Sequence, residues 1–258
     1  MNLSKNKIKY LNSLNLKKNR DKDKVFIAEG IKIVNDLLPY FNAKIIVATQ
    51  DWLNDKHPIS EEIIPLDSID EMKKISLLSS PSPVFAVFYQ PEYELQLNEL
   101  LTNKELILAL DTVQDPGNLG TIIRTCDWFG VHNIICSRDT AECYNPKVVQ
   151  ATMGALARVN LHYVDNLAQT ISHFQSAGYP IYGTLLDGQN MYHADAIPDK
   201  GKGIIIMGNE GNGISMSVRK TITHPIFIPS YPANVPTSES LNVGIATAIV
   251  LAEFRRQP

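Results

Sequence analysis

The feature that most constrains this chain is an alternation in its second half. Short apolar, β-branched runs recur between segments of helical periodicity. Strands are expected at 106–110 (LILAL), 133–136, 181–186, 203–207 (GIIIM) and 225–228, and helices at 119–129, 146–158, 167–178, 215–221 and 239–255. Such alternation predicts βαβ units and a mainly parallel sheet covered on both faces. Ligands of these sheets bind beyond the C-terminal ends of the strands.

The first part reads as a separate, smaller α/β unit. Strands are expected at 24–30 (KVFIAEG), 44–49 (KIIVAT) and 84–89 (VFAVFY), with helices at 31–38 and 68–78. The charged segment 90–104 has little periodicity and reads as a connector. The division is a first domain over 1–95, a linker over 96–104 and a second domain over 105–258.

Charge is unevenly placed. The net charge is −3, yet residues 1–24 carry eight Lys/Arg against two Asp, and the remaining chain sums to −9. A basic arm on an acidic chain points to a polyanion such as RNA, or else to a solvated lysine-rich helix. That arm lacks the apolar stretch of a signal peptide. No run approaches the roughly 18–20 apolar residues of a membrane span. Three cysteines (Cys126, Cys136, Cys143) without Cys-x-x-Cys spacing argue against a disulfide framework or a zinc site. The expectation is a cytoplasmic protein without a metal.

Several chemistries find no support. There is no Gly-x-Gly-x-x-Gly, no P-loop, no Gly-x-Ser-x-Gly and no His-Glu-x-x-His. The six histidines are scattered without ligand spacing.

Three segments carry the functional signal. In 111–130 (DTVQDPGNLGTIIRTCDWFG) a strand runs into an Asp115-Pro116-Gly117 turn, and Asn118 is placed to cap the next helix. That helix has an apolar face of Leu119, Ile122, Ile123, Cys126 and Phe129, with Arg124 one step off it. In 203–215 (GIIIMGNEGNGIS) a buried strand ends in three glycines within six residues, a loop that lets a ligand approach the backbone. Glu210 in its centre would repel a phosphate and suits a neutral or cationic ligand. In 227–254 a proline-rich loop leads into an apolar helix, with Ser240 and Asn242 near its start, as caps or ligand contacts.

In this order the three segments resemble the three motifs of the SpoU/TrmH family of RNA ribose 2′-O-methyltransferases, in the SPOUT superfamily. The resemblance covers roughly 105–255 and includes 145–155 (NPKVVQATMGA). Residues 4–30 resemble the opening of a ribosomal-protein-like substrate-binding domain. Two departures stand out. The loop 229–239 is longer than in compact members, and Gly244 stands where many have Ser or Ala.

The resemblance implies a SPOUT domain with a trefoil knot, S-adenosyl-L-methionine as cofactor and a homodimer. It places the cofactor against Leu185, Gly208, Asn209, Gly211, Ile228 and Leu241. It makes Arg124 the essential residue, as base or as a clamp on phosphate, with Asn118, Glu210, Ser240 and Asn242 fixing it and the nucleotide. A guanidinium is a poor base and a good bidentate phosphate ligand, so both roles stay open. The implied activity is ribose 2′-O-methylation of a structured RNA, with rRNA favoured over tRNA by the accessory domain. The rivals are a tRNA ribose methyltransferase, a SPOUT enzyme acting on a base nitrogen, and a silent RNA-binding protein.

Overall fold

The computed structural model describes residues 3–92, 95–193, 195–232, 235 and 238–256. In chain order its first elements are α1 (Lys5–Ser13), α2 (Lys17–Asp23), β1 (Val25–Glu29), α3 (Ile31–Leu37), β2 (Ala43–Thr49), α4 (Gln50–Lys56), β3 (Glu62–Leu66), β4 (Val84–Tyr89) and α5 (Leu97–Asn103). Then follow β5 (Leu106–Leu110), α6 (Pro116–Trp128), β6 (Asn133–Ser137), α7 (Pro146–Thr152), β7 (Asn160–Val164) and α8 (Leu167–Ser176). The last are β8 (Ile181–Asn190), β9 (Gly203–Met207), α9 (Met216–Arg219), β10 (His224–Phe227) and α10 (Val243–Arg255). Two compact units divide the chain: Met1–Glu92 with Glu142–Ala157, and Tyr93–Ala141 with Arg158–Pro258.

In the first unit four strands pair in the order β1-β4-β2-β3, with β4 antiparallel to both neighbours and β3 parallel to β2. Alternate side chains serve the two faces. Val25, Ile27, Ile45, Val47, Phe85 and Val87 meet Leu11 and Leu14 from the N-terminal arm on one face. On the other, Phe26 stacks on Phe88 and on Tyr144. Tyr144 arrives with the segment 142–157, which lies in sequence between β6 and β7 yet folds into this unit.

The helix expected over 68–78 is only a 3-10 turn, Ile69–Lys74. The chain beyond it is held by buried Glu29, whose carboxylate accepts from Ser76 Oγ and from the backbone N–H groups of Leu77 and Ser82. The expected linker 96–104 contains α5, and its Leu97, Leu100 and Leu101 join the core of the second unit around Ile107, Ile135 and Phe174.

The second unit is a six-stranded sheet of order β10-β8-β9-β5-β6-β7 in which every pair is parallel. After β5 the chain moves towards β6, and after β9 it moves the other way, towards β10. The adjacent ends of β5 and β9 are therefore the topological switch point, where open parallel sheets bind ligands. The first two sequence signals, 111–130 and 203–215, leave from those two strands.

Candidate active site

Helix α6 begins with a cap, but Asn118 does not supply it. Asp115 is the N-cap, its Oδ1 accepting from Asn118 N at 2.8 Å, and Pro116 occupies the first helical position, where its missing N–H costs nothing. This corrects the expectation for Asn118, whose half-buried side chain takes no part in the cap. Leu119, Ile122, Ile123 and Cys126 are buried as the periodicity required. Burial pushes the Cys126 thiol up, which leaves it an inert core residue.

The segment after β9 folds on itself. Asn209 and Gly213 exchange both backbone hydrogen bonds at 2.9 Å, and Asn209 Oδ1 accepts from Gly211 N and Asn212 N. Asn209 Nδ2 donates to Thr112 O at 2.8 Å, so its side chain builds the loop and ties it to the loop after β5. A Cβ on Gly208 would stand 2.4 Å from the backbone carbon of Gly213, so any side chain there breaks this turn. Buried Asp111 closes the far end, its Oδ2 accepting from Ser215 N at 2.7 Å. Motif spacing did not single out Asp111 or Thr112. The available signal was an acid directly after a wholly apolar strand.

The third segment completes the site. Asn242 caps α10, its Oδ1 accepting from Gly244 N and Ile245 N. Its Nδ2 donates to Asn118 Oδ1 at 2.9 Å, and Asn118 Nδ2 donates in turn to Glu210 Oε1 at 2.8 Å. One polar chain, Asn242–Asn118–Glu210, thus runs through all three segments. Gly244 permits the approach, because a Cβ there would lie 3.3 Å from Thr121 Cγ2 of α6.

Arg124 and Ser240 stand outside this chain. Arg124 is exposed on α6 and makes no hydrogen bond or ion pair among the described residues. Ser240 is exposed just before the Asn242 cap. Glu210 and Asn242 therefore orient Asn118 rather than Arg124 in this structure.

Gly208 and Ile228 directly follow β9 and β10, and Leu185 lies within β8, which pairs with both. Between Gly183 and Gln189 the β8 chain bulges away from β10 and carries Leu185 and Leu186 with it. Leu186 (75% exposed), Met216 (72%) and Leu241 (50%) leave uncovered apolar surface on the segments at these strand ends. Gly211 is exposed in the loop. Of the long loop 229–239, residues 233, 234, 236 and 237 lie outside the described residues. Among the described residues no group of three or more His, Cys, Asp or Glu converges as a metal site.

Residues 105–252 match the SpoU rRNA Methylase family, and residues 5–86 match the MRM3-like substrate binding domain. The chain belongs to the SpoU rRNA methylase family. It is 30% identical, over 96% of each chain, to the 23S rRNA (guanosine(2553)-2'-O)-methyltransferase RlmP of Bacillus subtilis (strain 168). It is 37% identical to the 23S rRNA (guanosine-2'-O-)-methyltransferase RlmB of Pseudomonas aeruginosa, over 69% of this chain and 68% of that one. Among solved structures, a putative TrmH-family RNA methyltransferase from Porphyromonas gingivalis superposes with a TM-score of 0.88 at 41% identity over 99% of both chains. An AdoMet-bound rRNA methyltransferase from Sinorhizobium meliloti gives 0.82 at 28% identity, over 96% of this chain and 93% of that one.

Proposed function

We propose that this family member transfers a methyl group from S-adenosyl-L-methionine to the ribose 2′-hydroxyl of a guanosine in ribosomal RNA. The observation that carries the reading is the Asn242–Asn118–Glu210 chain at the switch point of the sheet. It joins one polar residue from each of the three segments where a ligand of such a sheet sits. The cofactor supplies an activated methyl on a sulfonium.

The residues present suit that cofactor. Three of the six residues of the 208–213 turn are glycines with bare backbone, and half-buried Leu185 with exposed Leu186 and Leu241 offers apolar surface. Glu210 and Asp111 favour a cationic ligand over a polyphosphate. Asn118, fixed at both ends of its amide, orients the ribose. Arg124, without a partner among the described residues, takes the phosphate beside it or the 2′-hydroxyl proton.

The finer reading is a cytoplasmic homodimer with a knotted C-terminal segment. Trp128 on α6 is 85% exposed and Ile245 on α10 is 53% exposed, and these two packed helices offer apolar area to a second copy. The packing of α10 against α6 suits the knot.

The experiment is nucleoside mass spectrometry on rRNA incubated with the protein and isotope-labelled cofactor. The expected product is 2′-O-methylguanosine. A base-methylated nucleoside, or no methylation beside retained RNA binding, would replace this reading by one of its rivals.

A further inference from the structure

Thr112 adopts φ +62°, in the left-handed region. Among the described residues the other non-glycine cases are Lys24, His57, Lys104 and Met153, each the C-cap of a helix. Helix ends take this conformation routinely. Thr112 instead follows a strand and is the one β-branched residue of the set. In this region the Cβ crowds the carbonyl oxygen, and a branched Cβ makes the residue an outlier.

Three contacts of its own over-determine it. Its N–H donates to Ser137 Oγ at 2.9 Å, its carbonyl accepts from Asn209 Nδ2 at 2.8 Å, and its Oγ1 donates to Asp111 Oδ1 at 3.4 Å. The next residue is tied too, Val113 O accepting from Ala141 N at 2.8 Å. One strained residue therefore joins the loops after β5, β6 and β9. Strain of this kind persists only where its surroundings enforce it, and it concentrates at functional sites.

We propose that Thr112 is a positioning residue. Its left-handed backbone sets the 208–213 turn against the Asp115–Asn118 turn, and Ser137 is the group that holds it there. The proposal rests on the methyl-transfer reading, and it concerns the placing of cofactor against ribose rather than the grip on either.

The test is single-turnover methyl transfer to rRNA at saturating cofactor, with cofactor affinity from calorimetry and amide hydrogen exchange at Gly211 and Asn212. Ser137→Ala is expected to slow transfer by about 5–30-fold, the population penalty of an unheld left-handed L-residue. Cofactor affinity should change by less than about threefold, because the hydrogen bonds of Asn209 within the turn remain. Thr112→Gly added to Ser137→Ala should recover most of the rate, since glycine enters this region freely. A residue that only stabilised the fold would give no such rescue. Ser137→Cys, which keeps the volume and weakens the acceptor, repeats the test should Ser137→Ala not fold.

Wild-type rate in Ser137→Ala, or a double variant no faster than the single one, overturns the proposal. A wild-type protein that methylates no RNA overturns the functional reading instead. The proposal is then decided by exchange at Gly211 and Asn212, faster in Ser137→Ala and restored in the double variant if it holds, and unchanged if it does not.

Discussion

Asn242 reaches across 124 residues of sequence to donate its amide to Asn118 Oδ1 at 2.9 Å. Asn118 passes its own amide to Glu210 at 2.8 Å. A side chain held at both its oxygen and its nitrogen has a single amide orientation. An aspartate at position 118 would keep the acceptor for Asn242 and lose the donor for Glu210, placing two carboxylates together. Asn118→Asp should therefore slow single-turnover methyl transfer by about 10–100-fold, as expected for losing a hydrogen bond to a charged group. Cofactor affinity by calorimetry should stay within about threefold, because the proposed cofactor site is built from backbone of other loops. Equal rates in the two proteins would remove the chain from the mechanism.

Arg124 is exposed on α6 without a partner among the described residues, so its removal should cost little stability. Arg124→Ala should lower single-turnover transfer by about 10²–10⁴-fold, the range of a lost acid–base group, with a thermal midpoint close to wild type. Arg124→Lys separates the two roles. Lysine keeps the charge and loses the planar fork. A phosphate clamp predicts Lys nearly as poor as Ala at every pH. Proton removal predicts a Lys rate that climbs as pH rises. Wild-type rates in Arg124→Ala would make this an ordinary surface arginine.

The strands most legible in sequence are buried on both faces, although β10, a half-buried edge strand carrying Pro225, is also expected, at 225–228. β1, β5 and β9 are wholly buried and read as unbroken apolar runs. β3 and β7 escaped because each is a half-buried edge strand, one carrying Pro65 and the other His162. The site was legible as three segments but not as a wiring. Asp115-Pro116-Gly117-Asn118 offers two capping residues, and only the proline at the first helical position makes Asp115 the cap. The conformation of Thr112 depends on Ser137 and Asn209, which no local pattern reveals.

The fold of 142–157 changes what a truncation should do. Arg20, 1% exposed, donates to Glu142 at 2.7 Å and to the carbonyls of Leu14 and Asn15. Tyr144 stacks on Phe26 with centroids 4.9 Å apart. Deleting 1–95 would strip Tyr144, Val148, Val149 and Leu156 of the unit they fold with. The truncated protein should aggregate or melt without a cooperative transition, rather than survive as a free cofactor-binding domain. Within the whole chain, Arg20→Ala should destabilise by about 3–5 kcal/mol, the cost of leaving one partner of a buried pair alone. Arg20→Met with Glu142→Gln should recover part of that. Calorimetric unfolding measures each, and a soluble, cooperatively melting 96–258 fragment would contradict the first expectation.

The basic arm has less free charge than its sequence implies. Lys7 pairs with Glu62, Lys17 with Asp21, Arg20 with Glu142 and Lys24 with Glu92. Lys5, Lys9, Lys18 and Lys22 are exposed and make no ion pair among the described residues. They form two i,i+4 pairs, on α1 and on α2, and like charges at that spacing disfavour a helix by about 0.2–0.5 kcal/mol. A polyanionic partner would offset that cost. Each phosphate contact contributes about 0.7–0.9 to the slope of log affinity against log salt. Replacing all four lysines by Gln should therefore reduce the slope for rRNA binding by about 3–4. Replacing Lys7, Lys17 and Lys24 by Gln should reduce it by less, since each already serves a carboxylate of the chain. Fluorescence anisotropy across a salt series reads both slopes, and equal reductions, or none with the four free lysines removed, would move the RNA contact to another surface.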